Sequence, residues 1–166
     1  RRGDKSSVRI SNLDISLDER GRPTGLNFKL HMNGSFVPVK IKGSLGKSQT
    51  YASAAATIIG LYFDMNLVQI SAGLTQYQGI SGRLRILPGI KDSVIVDDTY
   101  NAAPAAMHQA LETLAECSAP RKVAILGDML ELGKYSIEAH RAVGNKVANL
   151  AHILVCVGEK AKFIAD

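Results

Sequence analysis

Carboxylates stand at the ends of two apolar runs in this sequence, and they are its strongest candidates for chemistry. Val94-Ile95-Val96 leads into Asp97-Asp98-Thr99-Tyr100-Asn101, and Val123-Ala124-Ile125-Leu126 leads through Gly127 into Asp128-Met129-Leu130-Glu131. Ionised carboxylates accept hydrogen bonds from hydroxyls, amines and backbone N–H groups. Apolar runs without alternation suit strands buried on both faces, as in a parallel α/β sheet. Open parallel sheets gather their ligands beyond the carboxyl ends of the strands. Acidic groups at two successive strand ends therefore point to a polar ligand site.

The elements that must carry these groups alternate. Strand 94–97 leads to a helix over 103–117, where Pro104 suits the first turn and Met107, Ala110, Leu111 and Leu114 form one apolar stripe. Strand 122–126 leads through the second acidic turn to a helix over 136–150, with Ser136 its expected N-cap. Strand 153–157 leads to a helix-like stretch, 159–166. Right-handed crossovers turn this order into a small, three-stranded, doubly wound parallel sheet, read as truncated.

The upstream part differs. Residues 8–42 read as antiparallel β, with Asn33-Gly34 as a type I′ hairpin turn. Folding there pairs Leu30 with Val37, Phe28 with Val39 and Leu26 with Ile41 on one face, and sets Pro38 opposite Lys29. The missing N–H of Pro38 predicts an edge strand over 36–42. Strand 8–17 loses its alternation near Asn12, where a bulge is expected. Alanine-rich residues 50–63 and the stretch 67–76 read as helices, and 78–82 as a linker. The fold class is α/β: an antiparallel β-hairpin with helices, followed by a truncated Rossmann-like parallel α/β domain.

Composition excludes several classes. The chain has 166 residues, 46% hydrophobic and 21% charged, as ordinary globular proteins do. No apolar run approaches the roughly 20 residues of a membrane span. The net charge of +5 suits anionic ligands, but the basic residues are scattered and aromatics make up only 5%, so no nucleic acid is expected as a partner. Cys117 and Cys156 have no metal-ligand spacing with the histidines and fit a reducing, cytoplasmic setting. Position 1 is not methionine and the last stretch is helix-like, from which a piece of a longer protein is expected.

Gly43-Ser44-Leu45-Gly46-Lys47-Ser48 invites comparison with a phosphate loop, G-x-x-x-x-G-K-[ST], whose N–H groups and lysine hold phosphates. Lys47 and Ser48 are in place, but the first glycine of the pattern is replaced by Ile41. The preceding strand is also amphipathic and at an edge, so a glycine-rich connection with a solvated lysine is the competing reading.

Gly82-Arg83-Leu84, then Asp97-Asp98-Thr99-Tyr100-Asn101-Ala102-Ala103-Pro104, then Leu126-Gly127-Asp128-Met129-Leu130-Glu131-Leu132-Gly133 followed by His140 together resemble the Mur ligases of peptidoglycan synthesis. Their motifs read G-R, D-D-[ST]-Y-N-A-x-P, and G-D-M-x-E-L-G followed by a histidine. The resemblance is strong over 82–166 and weaker but continuous over 1–81. It implies that 1–81 is the C-terminal part of a central ATP-binding domain and 82–166 the first half of a C-terminal Rossmann-like ligase domain. It also implies ATP and Mg²⁺ as cofactors, and a UDP-linked muramyl peptide and D-alanyl-D-alanine as substrates. ATP would phosphorylate the peptide carboxylate and the dipeptide amine would attack the acyl phosphate, with cationic and backbone donors stabilising the charge. The family's own phosphate loop lies upstream, so this chain alone is expected to be inactive.

Residue by residue, the resemblance assigns Arg83 to the nucleotide ribose or phosphates and Asp98 to the ribose hydroxyls. Segment 46–56 is similar to the family's adenine-contacting G-x-H-N-x-x-N-A-L-A-A, with Ser48 at the histidine, Gln49 at the first asparagine and Ala52 at the second. Gln49 is then the remaining amide for ATP. Tyr100 and Asn101 would line the cleft, and Asp128 and Glu131 would orient the amine or the peptide. No catalytic residue or metal ligand is assigned. Plain structural roles compete: linker cation for Arg83, helix cap for Asp98, turn formation for Asp128, and a satisfied core-edge residue for His140.

Overall fold

A computed structural model describes residues 8–166; residues 1–7, at the start of the expected first domain, lie outside the described residues. The chain divides into two compact units, one running to Asp97 and the other covering Asp98–Asp166.

In the first unit, β1 (Val8–Leu17), β2 (Pro23–Met32) and β3 (Ser35–Lys42) form an antiparallel sheet in the order β1-β2-β3. The β2–β3 register pairs Leu30 with Val37, Phe28 with Val39, Leu26 with Ile41 and Lys29 with Pro38, as the hairpin turn requires. Asn33 and Gly34 both take positive φ, 47° and 78°, as a type I′ turn demands. Pro38 lies on an edge strand. The β1–β2 register shifts between Ser11 and Asp14, with Asn12 at φ 53°, which is the expected bulge. Leu26, Phe28, Leu30, Val39 and Ile41 are buried. In the β1–β2 turn, the backbone N–H of Arg22 and then its side chain hold the Asp18 carboxyl below the ordinary aspartate value of 3.8.

Helix α1 (Ser48–Tyr62) buries an unusual face: Gln49, Thr50, Ser53, Thr57 and Gly60. Its hydroxyls are satisfied locally, Ser53 Oγ donating to Gln49 O and Thr57 Oγ1 to Ser53 O, both at 2.7 Å. Tyr51, Ile58 and Tyr62 are exposed. Helix α2 (Leu67–Thr75) opens with a capping box, in which Asn66 Oδ1 accepts from the Gln69 N–H and Gln69 Oε1 from the Asn66 N–H.

Residues 82–97 belong to this first unit. Strand β4 (Arg85–Pro88) pairs antiparallel with β5 (Val94–Asp97). The pair is joined to the rest by Leu45 N–H to Leu84 O and Ile86 N–H to Gly43 O, each 2.9 Å. The expected membership of strand 94–97 in the parallel sheet is thus corrected: its hydrogen-bonded neighbour is β4, because the 3-10 turn Ile90–Asp92 reverses the chain and returns it antiparallel.

The second unit contains α3 (Pro104–Glu116), β6 (Val123–Gly127), α4 (Ser136–Val147), β7 (Ile153–Val157) and α5 (Lys162–Ala165). Strands β6 and β7 are parallel, in register from Val123↔Ile153 to Gly127↔Val157. One face of this pair packs through Ala124, Leu126, Leu154 and Cys156 into a core with Met107, Leu111, Met129, Val143, Val147 and Ile164. The other face is open, with Ile125 69% exposed beside exposed Val155 and Val157, so the expected burial on both faces holds for one only. Burial pushes the thiols of both Cys117 and Cys156 up, and neither forms a disulfide. Ser136 is not the N-cap of α4. Tyr135 holds that position, and Ser136 Oγ, buried, has no partner among the described residues. No helix of the described residues is long and apolar enough to cross a membrane.

Candidate functional site

In the segment 43–48, two backbone N–H groups are engaged within the protein. The N–H of Gly43 donates to Thr24 O and that of Leu45 to Leu84 O, both at 2.9 Å. These two donors serve the sheet connection rather than an anion. Lys47 sits exposed at the N-cap position of α1, its carbonyl accepting from Thr50 Oγ1 at 2.7 Å.

The same segment does connect two of the nominated residues. Gln49, 8% exposed, donates through Nε2 to Ser44 Oγ at 2.9 Å. Ser44 Oγ in turn lies 3.3 Å from both Arg83 O and Leu84 O. The Gln49 amide therefore works through Ser44 on the backbone that carries Arg83, a link for which only the serine's position offered a signal. Gly82 N–H donates to Asp97 Oδ2 at 3.1 Å, so Asp97 closes the base of the β4–β5 arm. Between these anchors Leu84 is buried at φ 50°, and Arg83 presents an exposed side chain. The stretch 78–82, expected as a linker, is thereby fastened to its own unit.

In the second unit, Asp98, Tyr100 and Asn101 lie on the irregular segment before α3, Asp98 half-buried and the other two exposed. The N-cap of α3 is Ala103, with Pro104 in the first turn. Ala102, next to Asn101, packs against the same core cluster as Met129 of the second acidic turn.

That turn is held from two sides. Asp128 Oδ1 accepts from the N–H groups of Lys160 and Ala161, at 3.0 and 2.6 Å, so the β7–α5 loop wraps around one carboxylate oxygen. Met129 N–H donates to Nε2 of fully buried His140 at 3.0 Å. Glu131 is exposed and sits at φ 63°, in the left-handed region, just before Gly133 at φ 53°. Among the described residues no three His, Cys, Asp or Glu side chains gather to hold a metal.

Residues 82–166 match the family model described as Mur ligase, glutamate ligase domain. The chain belongs to the Mur ligase family. It is 34% identical over 125 residues to the UDP-N-acetylmuramoyl-tripeptide–D-alanyl-D-alanine ligase of Buchnera aphidicola, an overlap covering 75% of this chain and 27% of that one. Among solved structures, the UDP-N-acetylmuramoylalanyl-D-glutamyl-2,6-diaminopimelate–D-alanyl-D-alanyl ligase of Acinetobacter baumannii superposes with a TM-score of 0.82. It is 29% identical, covering 98% of this chain and 34% of that one. A Mur ligase of Thermotoga maritima in complex with ADP shares the fold, with a TM-score of 0.78 and 24% identity over 95% of this chain and 35% of that one. This Mur ligase chain thus spans between 27% and 35% of the length of these three proteins.

Proposed function

We propose that the chain is the C-terminal portion of a cytoplasmic, ATP-dependent ligase that joins D-alanyl-D-alanine to a UDP-N-acetylmuramoyl-tripeptide. Residues 1–81 are the end of its central ATP-binding domain and 82–166, the stretch the family model matches, the first half of its ligase domain, whose opening segment 82–97 packs with the first compact unit. The observation that carries this reading is the 34% identity to a ligase of that name. The positions of the motif residues support it: they stand at strand ends and turns, with side chains presented by braced backbone.

Arg83 contacts the nucleotide as a cation on a turn fixed by Ser44 and Asp97, and Asp98 accepts from the ribose hydroxyls. Gln49 supports the nucleotide site by holding Ser44 under Arg83. Tyr100 and Asn101 line the substrate side. Glu131 orients the incoming amine, and Asp128 fixes the turn from which Glu131 projects. Mg²⁺ accompanies ATP, bound through residues outside this chain, and neutralises phosphate charge.

Binding of Mg-ATP to the full-length polypeptide, followed by titration calorimetry, tests the nucleotide assignments. Hydrogen bonds involving charged groups contribute about 1.5–3 kcal/mol each. Arg83→Ala and Asp98→Ala should therefore each weaken binding by at least about tenfold, while Lys47→Ala leaves it unaltered. Wild-type isotherms from both Arg83→Ala and Asp98→Ala would contradict the assignment.

A further inference from the structure

His140, on α4, is a buried titratable side chain with one backbone partner on the acidic turn and one at the start of its own helix. Its ring is 0% exposed. Nε2 accepts from Met129 N–H at 3.0 Å, and Nδ1 lies 2.6 Å from Ser136 O. A backbone N–H only donates and a carbonyl only accepts. These partners therefore assign the proton to Nδ1 and leave Nε2 as the acceptor.

The two contacts fall at either end of an exposed loop. Met129 is fully buried and Ser136 nearly so, whereas Leu130, Glu131, Gly133, Lys134 and Tyr135 between them are exposed. One imidazole thus cross-braces a loop whose own backbone includes two successive left-handed departures, at Glu131 and Gly133. Left-handed φ is unfavourable for a glutamate by itself, so its conformation depends on what holds the loop ends. Asp128 secures the upstream side to Lys160 and Ala161, while His140, on α4, bonds Met129 upstream and Ser136 O at the start of its own helix downstream.

We propose that His140 is a positioning residue for the amine-accepting side of the ligase. Its Nε2–Met129 bond sets the conformation in which Glu131 meets the D-alanyl-D-alanine amine. The inference rests on the function proposed above and adds a specific dependence: acceptor binding and orientation, not nucleotide binding, follow the imidazole.

Side-chain geometry separates the two contacts. The Oε1 of a glutamine at 140 reaches the place of Nε2 and can accept from Met129. The amide of an asparagine reaches only the place of Nδ1 and serves Ser136. A leucine fills the space and serves neither. The experiment is steady-state kinetics of the full-length polypeptide carrying His140→Gln, His140→Asn or His140→Leu, with ATP and D-alanyl-D-alanine varied separately. It is run well below each variant's melting temperature.

His140→Leu and His140→Asn should raise the dipeptide KM at least tenfold, with the ATP KM within about twofold of wild type. His140→Gln should recover at least half of that loss on a logarithmic scale. A folded His140→Leu variant with an unchanged dipeptide KM overturns the inference. So does a parallel rise in both KM values, or an asparagine variant as good as the glutamine one. A wild-type polypeptide with no dipeptide-dependent turnover overturns instead the function on which the inference rests.

Discussion

Asp128→Ala should lower the stability of the Asp98–Asp166 unit by about 3 kcal/mol, the combined loss of two hydrogen bonds to a charged acceptor. The N–H groups of Lys160 and Ala161 converge on its Oδ1, and Ala161 is fully buried in the core. Removing the carboxylate leaves a buried donor without its partner, for which water is a poor substitute inside the cluster. Gly158 reinforces the dependence, because a Cβ there would strike the Asp128 carboxylate. The loop has been shaped around this one side chain. For a unit of this size the loss corresponds to a fall of about 15 °C in melting temperature. Asp128→Asn, which keeps a neutral acceptor, should lose about half as much. Thermal denaturation followed by circular dichroism checks both, and an alanine variant melting within about 2 °C of wild type would contradict the role.

Gly144→Ala should be nearly as damaging, although alanine in a helix interior is ordinarily favoured over glycine by about 1 kcal/mol. A Cβ at 144 would land on the carbonyl oxygen of Ile164, with the Ile164 carbonyl carbon at 3.0 Å and its Cα at 3.3 Å. These are backbone atoms, so no rotamer change relieves the overlap and α5 must move off α4. Ile164 and Ala161, both core residues, move with it. Overpacking of this kind costs about 1–3 kcal/mol and occasionally more, which outweighs the helix-propensity gain. The net expectation is a loss of about 2 kcal/mol in denaturant titration. Gly73→Ala in α2, where a new Cβ meets nothing within 4 Å, should be neutral or stabilising by up to about 1 kcal/mol. Equal behaviour of the two variants would show that the approach of α5 to Gly144 is not tight.

The hairpin was legible in full because its determinants are local. Asn33-Gly34 sets the turn, period-2 alternation then leaves one register, and Pro38 marks the edge. The partner of strand 94–97 was not legible. The three apolar residues Val94–Val96 predict a strand, but not whether its neighbour is parallel, and the reversal depends on left-handed Lys91 and Asp92. The alanines of α1 predict a helix, yet its buried face includes Gln49, Ser53 and Thr57, which hydrophobic patterning cannot rank as interior. Ser136 has the residue type of an N-cap, but the 3-10 turn Gly133–Tyr135 runs directly into the helix and removes the gap a cap would fill.

At the candidate site the motif residues could be named from sequence, while their bracing could not. Asp128 and His140 act on residues far along the chain, Lys160 and Met129 among them. Ser44 links Gln49 to the backbone of Arg83 across the sheet connection. The satisfied-core reading of His140 holds, since both ring nitrogens have partners, and the position of those partners is what gives it consequence for the turn.

If, as proposed, these residues supply one part of a ligase whose phosphate loop lies elsewhere, ATP-dependent phosphate release should require the full-length polypeptide. The assay contains Mg-ATP, the UDP-linked muramyl tripeptide and D-alanyl-D-alanine, with either the full-length polypeptide or the 166 residues alone. The expected result is dipeptide-dependent release by the full-length polypeptide and none above background from the 166 residues. Sustained turnover by the 166 residues, or its absence from a folded full-length polypeptide, would contradict the account.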